Sequence, residues 1–190
     1  EDGDRRIGRR ALIVGGAAAG VGTAVLARDQ LARLWWRLPG VEKSREQGAV
    51  DYAGARWVAA SDANWRSADR PDDFRIDMVI VHVTQGSFDS AVSAFQDPGH
   101  KASAHYIVGQ DGRVTQMIRE LDVAYHAGNR DYNERSIGIE HAGFVDRPED
   151  FTDEMYEASA RLTARICARY DIPVDREHIV GHVEVPGTDH

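Results

Sequence analysis

Three side chains whose types suit metal-dependent hydrolysis each stand at the end of an apolar run. His82 ends the run in VIVHVT, His182 ends the run in HIVGH, and Glu140 ends the run in SIGIE. Two histidines on adjacent strand ends with one carboxylate are a common catalytic zinc set that leaves a position for water. Burial of a carboxylate costs free energy, so a carboxylate at the end of an apolar strand is expected to have a function. Glu140 would accept a proton from that water.

Each of these residues also has an ordinary structural interpretation. His82 could be an edge histidine with satisfied hydrogen bonds, and Glu140 could form a salt bridge with an arginine such as Arg135. Side chains alternate across a strand, so His82 shares a face with Ile80, whereas Glu140 lies opposite Ile139. Two histidines at strand ends are well placed for a metal, but this pattern alone leaves both interpretations open.

The sequence beyond about Pro71 predicts the strands and helices that must position these side chains. The run over residues 78–81 is continuously apolar, as in a strand buried on both faces, and Asp111-Gly112 is a strong hairpin signal. The pattern predicts an α/β fold in which helices flank both faces of a central mixed β-sheet, in a single catalytic domain. We predict strands over residues 78–81, 105–109, 114–118, 136–140 and 178–182, and helices over 87–96 and 152–170.

Composition excludes some classes of protein. The formal net charge of -8 argues against a nucleic-acid-binding protein, because phosphate binding needs a basic face. The single cysteine, Cys167, excludes an internal disulfide and is expected to be a buried thiol in the long helix. A chain of 190 residues is expected to hold one domain with appendages.

The first 27 residues are typical of an export signal. Four arginines among residues 5–10 precede an uncharged, glycine-rich run over 11–27, and Arg9-Arg10 resembles a twin-arginine signal. We therefore expect an exported protein, secreted or associated with the cell wall, with transient membrane contact through the signal. An uncleaved membrane anchor is the alternative. Residues 13–20 also resemble a dinucleotide-binding turn, but the arginines stand where its preceding strand would be.

Residues 28–70 are assigned to an N-terminal segment that precedes the predicted domain over 71–190. Leu31, Leu34, Trp35 and Leu38 have helical spacing and predict a short amphipathic helix. This helix could pack on the domain, or it could contact a membrane interface or a partner. The sequence favours a helix that packs on the domain, and contact with a membrane interface or a partner stays open.

Five motifs occur in one order along the chain: VIVHVT, SAHYIVGQDGRV, YHAGN, SIGIE and IVGH. Together they resemble the zinc amidase family that includes bacterial anhydro-muramyl-peptide amidases, phage amidases and peptidoglycan recognition proteins. The resemblance covers about residues 65–190. It implies hydrolysis of the amide bond between N-acetylmuramic acid and L-alanine by a zinc-activated water, with peptidoglycan or a muropeptide as the partner and a monomeric protein.

The resemblance also implies roles for individual residues. His82 and His182 match zinc ligands, Glu140 matches the catalytic glutamate, and His126 matches a histidine that lines the substrate groove. His190 falls where many members carry a lysine that steadies the oxyanion, and a protonated imidazole can donate to an oxyanion too. One zinc ion per chain is implied. Its third protein ligand is expected two residues past His190, so the domain is expected to continue beyond the sequence given.

Two other functions stay open at this point. Some members of the family have lost a ligand and bind without cutting, so the chain could be a non-catalytic domain that binds peptidoglycan or muropeptides. The identity of the third ligand would separate these two functions. A membrane-anchored partner protein that uses residues 11–38 is the third possibility, but it does not explain the five motifs.

Overall fold

The structure is a computed structural model that describes residues 48–188. The predicted signal over residues 1–27, the predicted helix near Leu34 and the candidate catalytic residue His190 lie outside the described residues. Within the described part of the chain, no helix combines the length and apolarity that crossing a membrane requires.

The described residues form a six-stranded mixed sheet and a separate two-stranded ribbon. The strand order of the large sheet is β1-β5-β4-β7-β3-β8, in which only the β4–β5 pair is antiparallel. Strands β2 and β6 form the ribbon. The strands are β1 (Ala55–Trp57), β2 (Trp65–Arg66), β3 (Met78–Val83), β4 (Tyr106–Val108), β5 (Val114–Gln116), β6 (Val123–Ala124), β7 (Ser136–His141) and β8 (Ile179–Gly181).

Within residues 48–188 three α-helices cover the sheet, and they begin where the sequence provides caps. These are α1 (Phe88–Gln96), α2 (Arg130–Arg135) and α3 (Asp153–Tyr170). The Thr152 side chain accepts a hydrogen bond from the Met155 amide and so caps α3, which ends at Asp171 in a left-handed conformation. The predicted helices over 87–96 and 152–170 are therefore confirmed to within their capping residues.

The two faces of the sheet carry separate apolar clusters. On one face Val79, Ile137 and Ile139 belong to the large core that includes the apolar stripe of α3. On the other face Ile80 and its neighbours pack with Tyr132 of α2. Helices thus flank both faces, as predicted. The alternation of side chains along β3 and β7 decides which residues face each cluster.

The packed structure extends to residues before Pro71. Strand β1 pairs with β5 at the edge of the sheet, and Trp65 packs against the large core. The Asp51 carboxylate accepts hydrogen bonds from Arg119, Gln116 and the Glu120 amide, which joins the start of the described chain to this edge. This part of the predicted N-terminal segment therefore packs on the domain.

Candidate active site

The carboxyl ends of three neighbouring parallel strands bring the predicted catalytic residues together. His82 of β3 is in register with Glu140 of β7, and side chains in register on parallel strands share a face. Strand β8 pairs with the other edge of β3 and ends at Gly181, so His182 follows directly. The ring centroids of His82 and His182 are 4.5 Å apart. The predicted strand over 178–182 ends one residue early, because His182 begins a 3₁₀ turn.

The electrostatic environment keeps the central imidazoles neutral. Burial, reinforced by neighbouring imidazoles, lowers the pKa of His82 well below its ordinary value. Burial also lowers the pKa of His126, to which His105 and Arg70 contribute. A neutral imidazole carries a nitrogen lone pair that can bind a metal ion.

The carboxyl group of Glu140 is shielded from solvent and is not neutralised by a charged neighbour that the structure describes. Its Oε2 atom is shielded from solvent and has no hydrogen-bond partner among the described residues. Burial raises the pKa of this carboxyl group from 4.5 to about 7. The alternative salt bridge to Arg135 does not form, because both ends of that guanidinium bind Asp77 at 2.7 Å. A buried carboxylate oxygen without a partner indicates a catalytic or ion-binding role.

His126 lies between His82 and the start of β7. Its Nδ1 atom is 3.0 Å from Nε2 of His82, and its Nε2 atom is 3.2 Å from Oγ of Ser136. The Asn133 side chain accepts hydrogen bonds from the amides of His126 and Ala127, which holds the loop. The family resemblance implies that His126 lines the substrate groove. The structure adds a direct contact with His82.

A buried arginine holds the main chain next to Ser136 in place. Arg70 has no exposed surface, and it donates hydrogen bonds to the main-chain carbonyls of Asn133, Glu134 and Ser136. These carbonyls belong to the end of α2 and the start of β7, so Arg70 fixes the turn that carries Ser136. This role could not be predicted from the sequence, because an arginine in a polar stretch is usually exposed.

A cavity of about 590 Å³ opens beside these residues on the face of α2. His126 and His182 both contribute to its lining. Three cationic side chains also line it, although the protein as a whole is acidic: Arg66, Lys101 and Arg130. A second, more apolar cavity of about 660 Å³ reaches His82 and His182 from the side of α3.

The donor set at the strand ends fits zinc but is incomplete within residues 48–188. Two histidine nitrogens are suitable zinc ligands, and catalytic zinc sites usually have three protein ligands. Among those residues no group of three or more His, Cys, Asp or Glu side chains is arranged to hold a metal ion. The predicted third ligand and His190 lie outside them and stay predictions.

Comparison of the sequence with known proteins identifies related amidases. N-acetylmuramoyl-L-alanine amidase A of Achromobacter lyticus is 42% identical over 122 residues, which are 64% of this chain and 66% of the relative. The 1,6-anhydro-N-acetylmuramyl-L-alanine amidase AmpD of Haemophilus influenzae is 34% identical over 91 residues, 45% of this chain and 48% of the relative. The chain thus spans between about half and two thirds of the length of these two relatives.

Comparison of the structure with solved structures shows the same fold. A selenomethionine derivative of AmpD aligns with a TM-score of 0.59 at 24% identity, covering 73% of this chain and 88% of that chain. PlyL aligns with a TM-score of 0.57 at 15% identity, covering 70% of this chain and 84% of that chain. The sequence pattern of the N-acetylmuramoyl-L-alanine amidase family matches residues 72–190, and the chain therefore belongs to that family.

Proposed function

We propose that this protein hydrolyses the amide bond between the lactyl group of N-acetylmuramic acid and L-alanine in peptidoglycan or a muropeptide. The observation that carries the proposal is the meeting of His82, His182 and Glu140 at the ends of three parallel strands. Membership of the amidase family supports it, as do relatives that are named for this bond.

We propose one zinc ion per chain at the same place. His82 and His182 would hold it, with a third protein ligand expected past His190. When bound, zinc supplies Lewis-acid chemistry: it polarises the amide carbonyl and lowers the pKa of water to about 7. The support for this part is the pair of adjacent imidazoles, of which His82 is buried and kept neutral.

The residues of the chain itself would bind the substrate and move protons. Ionised Glu140 accepts a proton from the attacking water and delivers it to the departing amine of L-alanine. A pKa of about 7 suits a group that must exchange a proton near neutral pH. His126 contacts the substrate from the wall of the 590 Å³ cavity. His190 donates to the developing oxyanion.

The location of the substrate agrees with the proposed export of the protein. Peptidoglycan lies outside the cytoplasmic membrane, and residues 1–27 carry the pattern of a signal. We propose that the protein acts there as a monomer and touches the membrane only through its signal.

Release of peptide from a purified muropeptide tests the proposal. The protein, extended past His190 to include the expected third ligand, is incubated with zinc and a muropeptide, and products are identified by mass spectrometry. The expected products are a peptide with a free L-alanine amino group and a sugar with a free lactyl carboxylate. Glu140→Gln should yield neither product. Tight binding of the muropeptide by the wild-type protein without any cleavage would instead support the non-catalytic binding domain.

A further inference from the structure

A short chain of hydrogen bonds connects the end of helix α2 to His82. Ser136 Oγ contacts two groups: the main-chain carbonyl of Tyr132 and Nε2 of His126. His126 in turn contacts Nε2 of His82 through its Nδ1 atom. Ser136 is fully buried, and His82 and His126 are nearly so, which shields the chain from exchange with solvent.

The direction of every bond in this chain follows from the first one. A carbonyl oxygen can only accept, so the single hydroxyl proton of Ser136 is donated to Tyr132. Ser136 Oγ must then accept from Nε2–H of His126, at 3.2 Å. A neutral imidazole with its proton on Nε2 has a lone pair on Nδ1. That lone pair accepts the proton of Nε2 of His82, at 3.0 Å.

We infer that Ser136 and His126 are positioning residues that set the tautomer of His82. The proton of His82 is held on Nε2, and Nδ1 is the nitrogen left to bind a metal ion. This inference rests on the proposed function only where it treats His82 as a metal ligand. Hydrogen bonds to the second nitrogen of a metal-binding histidine fix its tautomer and orientation, and their loss typically costs ~10–100-fold in metal affinity.

Nitrogen NMR of the metal-free protein tests the tautomers directly. Long-range ¹H–¹⁵N spectra are recorded on the full chain at pH 8, above the ordinary histidine pKa of about 6.5. Signals are assigned with His82→Gln and His126→Gln. Both residues should carry the proton on Nε2. A proton on Nδ1 of either residue in the wild-type protein overturns the inference, and this result needs no further variant.

Substitutions at Ser136 test the hydrogen-bond chain from Tyr132 to His82 and its effect on metal affinity. Ser136→Ala should give mixed tautomers at His126 and His82 and weaken zinc binding by about tenfold, measured by competition with a chelator. Ser136→Thr keeps the hydroxyl and should restore both. The control is Ser103→Ala, since that buried hydroxyl donates to the Asn64 carbonyl and accepts from the Tyr125 amide, and neither hydrogen bond involves a histidine side chain.

The outcomes separate this inference from the proposed function. If Ser136→Ala keeps the wild-type tautomers and the wild-type zinc affinity, the inferred role of the hydrogen-bond chain is wrong, whatever bond the protein hydrolyses. If the expected tautomers are found but the protein extended past His190 neither binds zinc nor cuts a muropeptide, the hydrogen-bond chain from Tyr132 to His82 stands and the proposed function fails.

Discussion

The ring of His126 occupies the space that a side chain at Gly138 would need. A β-carbon at position 138 would lie 2.6 Å from Cγ of His126, well inside van der Waals contact. Gly138 lies in the middle of β7, where glycine usually weakens a strand. Here the missing side chain lets the ring reach His82 and Ser136.

Gly138→Ala should therefore displace His126 without unfolding the sheet. We expect kcat for muropeptide cleavage to fall by roughly a hundredfold, because a displacement of about 1 Å at an active site has this effect. Steady-state kinetics with circular dichroism on the same samples measure the change. Gly99→Ala, in an exposed loop, is the control. Full activity in Gly138→Ala would show that the contact does not matter.

Glu140→Gln should remove the proton acceptor and keep the shape of the side chain. We expect turnover to fall by about 10²–10⁴-fold, the usual contribution of a general base. Zinc binding should persist, because Glu140 is not a proposed ligand. Glu157→Gln, on the exposed face of α3, should be as active as the wild type. Near-full activity of Glu140→Gln would assign the base to another group.

The raised pKa of Glu140 predicts a pH dependence of stability in the metal-free protein. The folded state holds this proton more tightly than the unfolded state, since burial raises the pKa from 4.5 to about 7. The stability that the neutral form contributes is present below pH 4.5 and is lost as the pH rises through 7. The Glu140→Gln protein should not lose this stability, because its side chain does not titrate.

Urea unfolding at several pH values measures this difference. Between pH 4 and pH 8 the wild-type protein should lose about 3 kcal/mol of unfolding free energy relative to Glu140→Gln. Both proteins carry the other titrating groups, so their contributions cancel. A difference that stays constant across the range would mean that Glu140 titrates normally.

Removal of the metal should abolish activity reversibly. A chelator should stop muropeptide cleavage, and added zinc should restore it. His82→Ala and His182→Ala should bind less zinc than the wild type in elemental analysis and should not recover activity. His100→Ala removes an exposed histidine and should recover fully. Activity that survives complete metal removal would exclude the proposed zinc chemistry.

Arg9 and Arg10 should direct export through the twin-arginine route. Replacing both with lysine keeps the charge but removes the pair, and the protein should then accumulate in the cytoplasm. Cell fractionation with antibody detection measures this, and Arg5→Lys with Arg6→Lys is the control. Normal export of the Arg9→Lys, Arg10→Lys protein would exclude this route, though a general signal would remain.

The features predicted from the sequence were those with long or repetitive patterns. The apolar run over 78–81, the turn at Asp111-Gly112 and the capped stripe of α3 specify their own local structure, and all three were confirmed. Strands β1, β2 and β6 were missed because each has only two or three residues and no flanking turn signal such as the Asp111-Gly112 pair between β4 and β5. Such short strands form through their partners in the sheet, not through local preference.

The candidate site shows the same division between local pattern and tertiary contact. His82, Glu140 and His182 could be selected because each ends an apolar run. Ser136 and Arg70 could not, because their roles depend on contacts that only the folded chain creates. Arg70, for example, reaches a carbonyl 66 positions along the chain.

Strand β1 lies before the segment that matches the amidase family, yet it protects one edge of the sheet. A chain trimmed to residues 72–190 would leave the outer side of β5 with free main-chain amides and carbonyls. An open strand edge is a template for pairing with another molecule, so the trimmed protein would tend to aggregate. Preparations of this domain for crystallisation or NMR should therefore begin no later than Asp51, whose carboxylate secures that edge.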